Sequence, residues 1–220
     1  MRHGFVKVAA ATPDIRVADV EFNKENICRG IEEAEKANAK ILVFPELCVT
    51  GYTCSDLFDH AVLLKAAKKA LLEIAEFTRD RDLLVFVGVP LEVDGKLYNV
   101  AAALNHGKIL GLTTKTFLPN YGEFYEMRQF RPGPAMARWI TLDGKKIPFG
   151  PQLLFVAEQM EELVVSAEIC EDVWSPIPPS TLAAREGATV IVNCSASDET
   201  IGKAAYCESL IEGQSARLIC

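Results

Sequence analysis

The stretch from residue 23 to residue 47, NKENICRGIEEAEKANAKILVFPEL, decides the fold class because it changes from a helical to a strand pattern. Its first part places four apolar side chains on one helical face: Ile27, Ile31, Ala34 and Ala37. The run Ile41–Phe44, closed by Pro45, is typical of a short buried strand. A helix followed by a buried strand is the repeating unit of an α/β protein.

The same alternation continues on both sides of this stretch. Further strands are predicted at Phe5–Ala11, Leu83–Pro90, Leu163–Ala167 and Val190–Asn193. A hairpin is predicted from Tyr98–Leu104 and Ile109–Thr114, joined at residues 105–108. These elements predict one layered α/β domain with helices covering a sheet.

Three more helices are predicted between the strands. The first has a core stripe of Val62, Leu63, Ala66, Ala70, Ile74 and Phe77. The second runs from Ser180, as its cap, to Glu186 before Gly187, and the third starts near Lys203. Residues 116–135 are predicted to be a long loop, and its many aromatic residues favour a functional role.

Composition excludes several classes of protein. Half of the residues are hydrophobic, as in a globular chain, and the net charge of −7 argues against a nucleic-acid partner. No apolar run has the length of a membrane span, and the N-terminus lacks a signal-peptide pattern, so a cytoplasmic location is expected. The seven cysteines form no C-x-x-C pair and are expected to be reduced thiols.

The types of residue that are scarce also narrow the chemistry. The three histidines are His3 at the terminus, His60 at the start of a surface helix and His106 at a hairpin tip. None is placed to activate a serine or cysteine, and no His/Cys cluster has metal-ligand spacing. The glycines are too far apart to form a phosphate-binding loop, so no nucleotide site is expected.

Three polar residues then remain at strand ends, where open α/β sheets bind ligands: Glu46, Lys115 and Cys170. Each alone has an ordinary explanation, as a solvated carboxylate, a surface lysine or an inert core thiol. Carboxylates next to Cys170 oppose thiolate formation, so a reactive thiol there needs a cation and a base. Lys115 and Glu46 supply these groups if the fold brings the three together.

Three longer segments around these residues carry a family resemblance. They are residues 44–47 (FPEL), 115–121 (KTFLPNY) and 168–174 (EICEDVW). The segments resemble the signatures of the nitrilase (carbon–nitrogen hydrolase) superfamily, with the Glu, Lys, Cys order of its catalytic triad. The match is closer to the N-terminal amidase domains of glutamine-dependent NAD⁺ synthetases. Residues 4–13, 118–130, 176–181 and 193–203 support it, so the resemblance covers essentially the whole chain.

The resemblance implies a four-layer α-β-β-α sandwich that hydrolyses the side-chain amide of glutamine. It implies Cys170 as nucleophile, Glu46 as base and Lys115 as oxyanion stabiliser. It also implies that Glu171 binds the α-ammonium of glutamine, with Tyr121 and Ser197 completing the pocket. Homo-oligomers are a further expectation from the family.

The chain also departs from the family that it resembles. Residues 1–220 are expected to form a single glutaminase domain that is incomplete at its C-terminus. The synthetase domain that would accept the ammonia is absent, along with its Ser-Gly-Gly motif, so this chain is expected to bind no cofactor. ATP and Mg²⁺ are expected only for that missing domain.

Two alternative functions stay open at this point. One is a free-standing nitrilase-type amidase that acts on another small amide with the same chemistry. The other is a catalytically idle fragment that serves in assembly or regulation. The carboxylate of Glu171 beside the nucleophile favours a substrate with a cation, and therefore glutamine.

Overall fold

A computed structural model describes residues 4–220, which contain ten strands and four α-helices. Residues 1–3, including His3, lie outside the described part of the chain. In chain order the elements are β1 Val8–Ala10, α1 Val20–Lys36, β2 Ile41–Val43, α2 Ala61–Phe77, β3 Leu84–Val93, β4 Lys96–Asn105, β5 Lys108–Thr114, β6 Arg138–Leu142, β7 Lys145–Gly150, β8 Leu154–Ala157, β9 Met160–Ile169, α3 Pro179–Arg185, β10 Val190–Cys194 and α4 Lys203–Leu218. Short 3₁₀ helices span Tyr52–Asp59, Glu126–Arg128 and Cys170–Trp174.

The strands form two sheets. The larger has the order β1-β2-β3-β4-β5-β7-β6, with β1, β2 and β3 parallel and β4 and β5 following as an antiparallel meander. The smaller has the order β10-β9-β8, with β9 and β10 parallel. The predicted hairpin of β4 and β5 is confirmed, with Asn105 paired to Lys108.

The central strands are buried on both faces, which explains their uninterrupted apolar sequence. In β3, Val85 and Val87 join the core beneath α1 and α2, whereas Phe86 between them joins the core shared with β9 and β10. Successive side chains of a strand point to opposite faces, so one strand serves both cores. With α3 packed on β9 and α4 packed on α3, the layers are helix, sheet, sheet, helix. The predicted four-layer sandwich is confirmed.

Some local predictions were wrong. The α2 stripe was wrong at Val62, which is 83% exposed. Its other members are buried or partly buried against the core, and the buried face of α2 also carries Ala67, Leu71 and Ala75. Ser180 does not cap α3, because Pro178 is the cap residue and Pro179 begins the helix. Strands β6, β7 and β8 were missed. Two lysines, a proline and a glycine interrupt the pattern of β7, and β8 is an apolar run of only four residues.

Two further observations concern the helices and the cysteines. Within residues 4–220, no helix combines the length and the apolarity that crossing a bilayer requires. All seven cysteines are free thiols, as expected for reduced residues.

Candidate active site

The three predicted strand-end residues lie in one buried cluster. Glu46 lies three residues past β2, Lys115 directly follows β5, and Cys170 directly follows β9. The Nζ atom of Lys115 lies 2.7 Å from Oε1 of Glu46, and both side chains are inaccessible to solvent. The charges of Lys115 and Glu46 both act on the Cys170 thiol, which is itself buried.

A second carboxylate, from Glu126, completes this cluster. Its Oε1 lies 2.6 Å from Lys115 Nζ and accepts a hydrogen bond of 2.7 Å from the Tyr52 hydroxyl. Asn99 donates to Oε1 of Glu46 at 2.6 Å. One lysine therefore lies between two carboxylates, and each carboxylate is held by another neutral side chain. Sequence reasoning missed Glu126, although it lies in the loop that was predicted to be functional, because nothing local distinguishes it from Glu123.

The protonation states follow from burial and from these contacts. Burial raises the pKa of Glu46 above its ordinary value, and Lys115 offsets only part of this effect. Burial disfavours the charge of Lys115, but Glu46 and Glu126 outweigh it and raise the pKa of this amine. Burial, followed by the Glu46 carboxylate, raises the pKa of the Cys170 thiol to about 12. The resting site therefore contains a neutral thiol, a charged lysine and a base of increased strength.

The thiol lies on a sharp turn between β9 and a 3₁₀ helix. Cys170 has a φ of 44°, a left-handed conformation that costs free energy for a residue with a side chain. Its N–H donates to Oδ1 of Asn193 at 3.1 Å. Ser195 and the Ala196 N–H lower the pKa of the Cys170 thiol and so offset part of the effect of burial, and the same N–H donates to Oε2 of Glu46 at 3.3 Å. The segment after β10 thus acts on both the thiol and the base.

A cavity of about 250 Å³ opens above the thiol. It is lined by Pro119, Tyr121, Glu123, Phe124, Cys170, Glu171, Trp174, Ser197, Asp198 and Lys203. The predicted substrate-binding residues Tyr121, Glu171 and Ser197 therefore line the same cavity as the nucleophile. The Tyr121 hydroxyl lies 2.9 Å from both carboxylate oxygens of Glu171. Burial, with a contribution from Glu171, raises the pKa of Tyr121 to about 12, so its hydroxyl remains a donor.

Lys203 is a cation in this cavity that sequence reasoning did not select. Its Nζ lies 2.6 Å from the Ser197 hydroxyl, pairs with the Asp198 carboxylate and lies 5.9 Å from the centre of the Trp174 ring. Lys203 is the first residue of α4, and it was predicted only as the start of that helix. The cavity thus combines carboxylates with one ammonium group beside the thiol.

A larger groove of about 460 Å³ lies between the start of α1 and α2, and Cys170 is not among its lining residues. Its walls are mainly apolar, and its polar residues are Asp19, Glu21, His60, Lys69 and Glu73. No thiol is among its lining residues, whereas the smaller cavity is lined by Cys170.

Comparisons with known proteins show the family of this chain. Residues 7–211 match the carbon–nitrogen hydrolase family. The chain is 38% identical over 218 residues to the glutamine-dependent NAD(+) synthetase of Mycobacterium tuberculosis strain H37Rv, and 36% identical over 219 residues to that of Aquifex aeolicus. These matches cover 99% and 98% of this chain but only 32% and 34% of the relatives.

The fold also matches a solved structure that carries the same name as these relatives. The crystal structure of a glutamine-dependent NAD(+) synthetase from Cytophaga hutchinsonii superposes with a TM-score of 0.87 at 34% identity. The superposition covers 98% of this chain and 34% of that one. The present chain therefore spans about a third of the length of these synthetases.

Proposed function

Because this chain belongs to the carbon–nitrogen hydrolase family, we propose that it hydrolyses the side-chain amide of glutamine to glutamate and ammonia. The observation that carries the proposal is the position of Lys115 between two carboxylates, within a cluster whose fourth member is the Cys170 thiol. These groups are a nucleophile, a base and a cation, which acyl transfer from an amide requires.

The first half of the reaction forms a thioester. Glu46 takes the thiol proton of Cys170 while the sulfur attacks the carbon of the carboxamide. Moving this proton within the cluster leaves its net charge unchanged, so the step avoids creating a new buried charge. Collapse of the tetrahedral intermediate breaks the C–N bond, and protonated Glu46 returns the proton to the departing nitrogen, which leaves as ammonia.

Lys115 stabilises the oxyanion that forms on the amide oxygen. An ammonium group has three N–H donors, and Glu46 and Glu126 accept two of them. The third donor is available to the oxyanion. Because the two carboxylates fix the ammonium before substrate binds, it needs little reorganisation during the reaction, which is the source of most electrostatic catalysis.

The second half of the reaction releases glutamate. Glu46, again ionised, takes a proton from water, and the resulting hydroxide attacks the thioester carbon. The C–S bond breaks, the carboxylic acid departs, and the proton on Glu46 returns to the sulfur. Cys170 is thereby regenerated as a thiol, the form that its raised pKa favours.

The charges of the cavity favour an amino acid amide over a simple aliphatic amide. Glu171, oriented by Tyr121, suits the α-ammonium of glutamine, and Lys203 beside Ser197 suits the α-carboxylate. A cavity of about 250 Å³ lies just below the roughly 300–1,000 Å³ of pockets for drug-sized ligands and suits so small a substrate.

We further propose that the ammonia serves a synthetase domain. The relatives are named glutamine-dependent NAD(+) synthetases, and this chain matches about a third of each. In such a protein the ammonia would amidate nicotinic acid adenine dinucleotide to NAD⁺. The ammonia acceptor, its ATP and its Mg²⁺ would belong to the part that this chain does not match.

A substrate panel on the 220-residue chain tests the proposal. Glutamate and ammonia release from glutamine is expected, with far slower release of ammonia from butyramide and simple nitriles. Cys170→Ala is expected to abolish glutamine hydrolysis, whereas Cys207→Ala, at a residue outside the cavity, serves as the matched control. Equal rates with butyramide would favour the free-standing amidase, and hydrolysis that survives Cys170→Ala would refute the proposal.

A further inference from the structure

We propose that Asp172 is a positioning residue that holds the oxyanion-stabilising lysine and the nucleophilic thiol in a fixed relation. The roles of Lys115 and Cys170 in this inference rest on the function proposed above. Asp172 itself touches neither of these side chains through a hydrogen bond, and it acts through the backbone on either side of them.

The carboxylate of Asp172 joins two segments that come from different sheets. Its Oδ1 accepts hydrogen bonds from the N–H groups of Thr116 at 3.0 Å and Phe117 at 2.8 Å. Its Oδ2 accepts from the N–H of Ile169 at 3.0 Å. Thr116 follows Lys115 at the end of β5, and Ile169 precedes Cys170 at the end of β9. One side chain therefore connects the backbone beside the lysine to the backbone beside the thiol.

Only a carboxylate provides acceptors on both sides. All three partners are N–H donors, so both oxygens of the side chain must accept, as an ionised carboxylate does. An asparagine of the same shape has one oxygen and one NH₂ group. In either orientation of that amide, an N–H donor from one of the two segments would face another donor and lose its acceptor.

The negative charge of Asp172 is costly at this position. The side chain is 1% exposed, and among residues 4–220 no lysine or arginine forms a salt bridge with it. Burial raises the pKa of Asp172 to about 7, because desolvation of the carboxylate outweighs its three hydrogen bonds. A buried charge without a cation is a poor source of stability, so its placement has another reason.

The charge of Asp172 also does not make the Cys170 thiol more reactive. A carboxylate two residues from Cys170 opposes formation of the thiolate. The Asp172 carboxylate does stabilise the strained turn, because the φ of 44° at Cys170 persists only where neighbouring contacts fix the backbone. Asp172 fixes the N–H before the thiol, and Asn193 fixes the N–H of Cys170 itself.

Asp172→Asn separates positioning from charge because the two roles predict opposite changes in the rate of Cys170 alkylation. We expect kcat for glutamine to fall about 100-fold, the effect of a misplacement of about 1 Å, with KM little changed. We also expect slower alkylation of Cys170 by iodoacetamide, corrected for the other cysteines with Cys170→Ala. If the charge of Asp172 were its only effect, its removal would lower the thiol pKa and accelerate alkylation.

Thr78→Val is the matched control for loss of stability. Thr78 is fully buried, and its hydroxyl bonds two backbone groups, Ala75 O at 2.7 Å and Gly107 N at 3.1 Å, outside the cavity. This variant is expected to lower the melting temperature but to leave kcat and alkylation unchanged well below that temperature. If Asp172→Asn fails to fold, Asp172→Ser, which keeps one acceptor oxygen, is tested in the same way.

The outcomes distinguish this inference from the proposed function. Unchanged kcat and alkylation in folded Asp172→Asn, or faster alkylation, would overturn the positioning role. A wild-type chain that is alkylated at Cys170 but does not hydrolyse glutamine would refute the substrate, while slower alkylation in Asp172→Asn would still support positioning.

Discussion

Gly88→Ala is expected to disable the base without changing any residue of the catalytic cluster. Gly88 lies in the middle of β3, and the chain segment that carries Glu46 crosses directly over it. A methyl group at this position would lie 2.3 Å from the nitrogen of Leu47 and 2.4 Å from the carbonyl oxygen of Pro45. Both obstacles are backbone atoms, so no side-chain rotation relieves the contact.

The size of the effect follows from these distances. To reach ordinary van der Waals contact at 3.4 Å, the backbone on both sides of Glu46 must move by about 1 Å. The hydrogen bonds of Glu46 to Asn99 and Lys115, at 2.6 and 2.7 Å, do not survive such a shift. Overpacking of this kind costs about 1–3 kcal/mol of stability, and a misplacement of about 1 Å costs about 100-fold in rate.

Glutamate release and urea unfolding are measured together on Gly88→Ala and on Gly213→Ala. Gly213 lies in α4 with no atom within 4 Å of a Cβ placed there. Its replacement is expected to stabilise the helix by about 0.5–1 kcal/mol and to leave kcat unchanged. A folded Gly88→Ala protein with the kcat of the wild type would show that the position of Glu46 does not depend on this contact.

Three further predictions concern the charges of the site. Glu126→Gln removes a charged hydrogen-bond partner of Lys115. Such a bond contributes about 1.5–3 kcal/mol, so kcat is expected to fall about 10- to 100-fold. An unchanged kcat would show that Glu46 alone positions the lysine. Glu171→Gln is expected to raise KM for glutamine but not for butyramide, and an equal rise for both would contradict ammonium recognition. Because ionised Glu46 and neutral Cys170 form the active state, kcat at saturating glutamine is expected to rise with pH as Glu46 and the positioning carboxylate of Asp172 ionise. Burial raises the pKa of Glu46 above 4.5 and that of Asp172 to about 7, whereas the Cys170 thiol, with a pKa of about 12, causes no decline in kcat before pH 10. An acidic limb at or below pH 4.5 in the pH profile of kcat would contradict this order.

The main features of the fold were predictable because they depend on local patterns. The stripe of α1 and the apolar runs of β2, β3, β9 and β10 repeat with the periods of a helix and of a strand buried on both faces. The stripe of α2 was predicted correctly except at Val62, which faces solvent. The domain's incompleteness and its assembly into oligomers stay predictions.

The candidate site was predictable only in part. Glu46, Lys115 and Cys170 follow strands, so each is marked by the element before it. Glu126 and Lys203 have no such mark, because one lies in a 3₁₀ turn of a long loop and the other starts a surface helix. Their importance arises from the partners that they meet in space.

By itself, the sequence determined a layered α/β chain with an acid, an amine and a thiol at strand ends, and its signatures indicated amide hydrolysis. Only the tertiary structure decided that Lys115 lies between Glu46 and Glu126, that Asp172 joins two backbones, and that Gly88 leaves room for the base. The physical reason is the separation along the chain of the residues that come into contact. Periodicity acts over a few residues, whereas the N–H of Ala196 meets Glu46 across 150 positions of the chain.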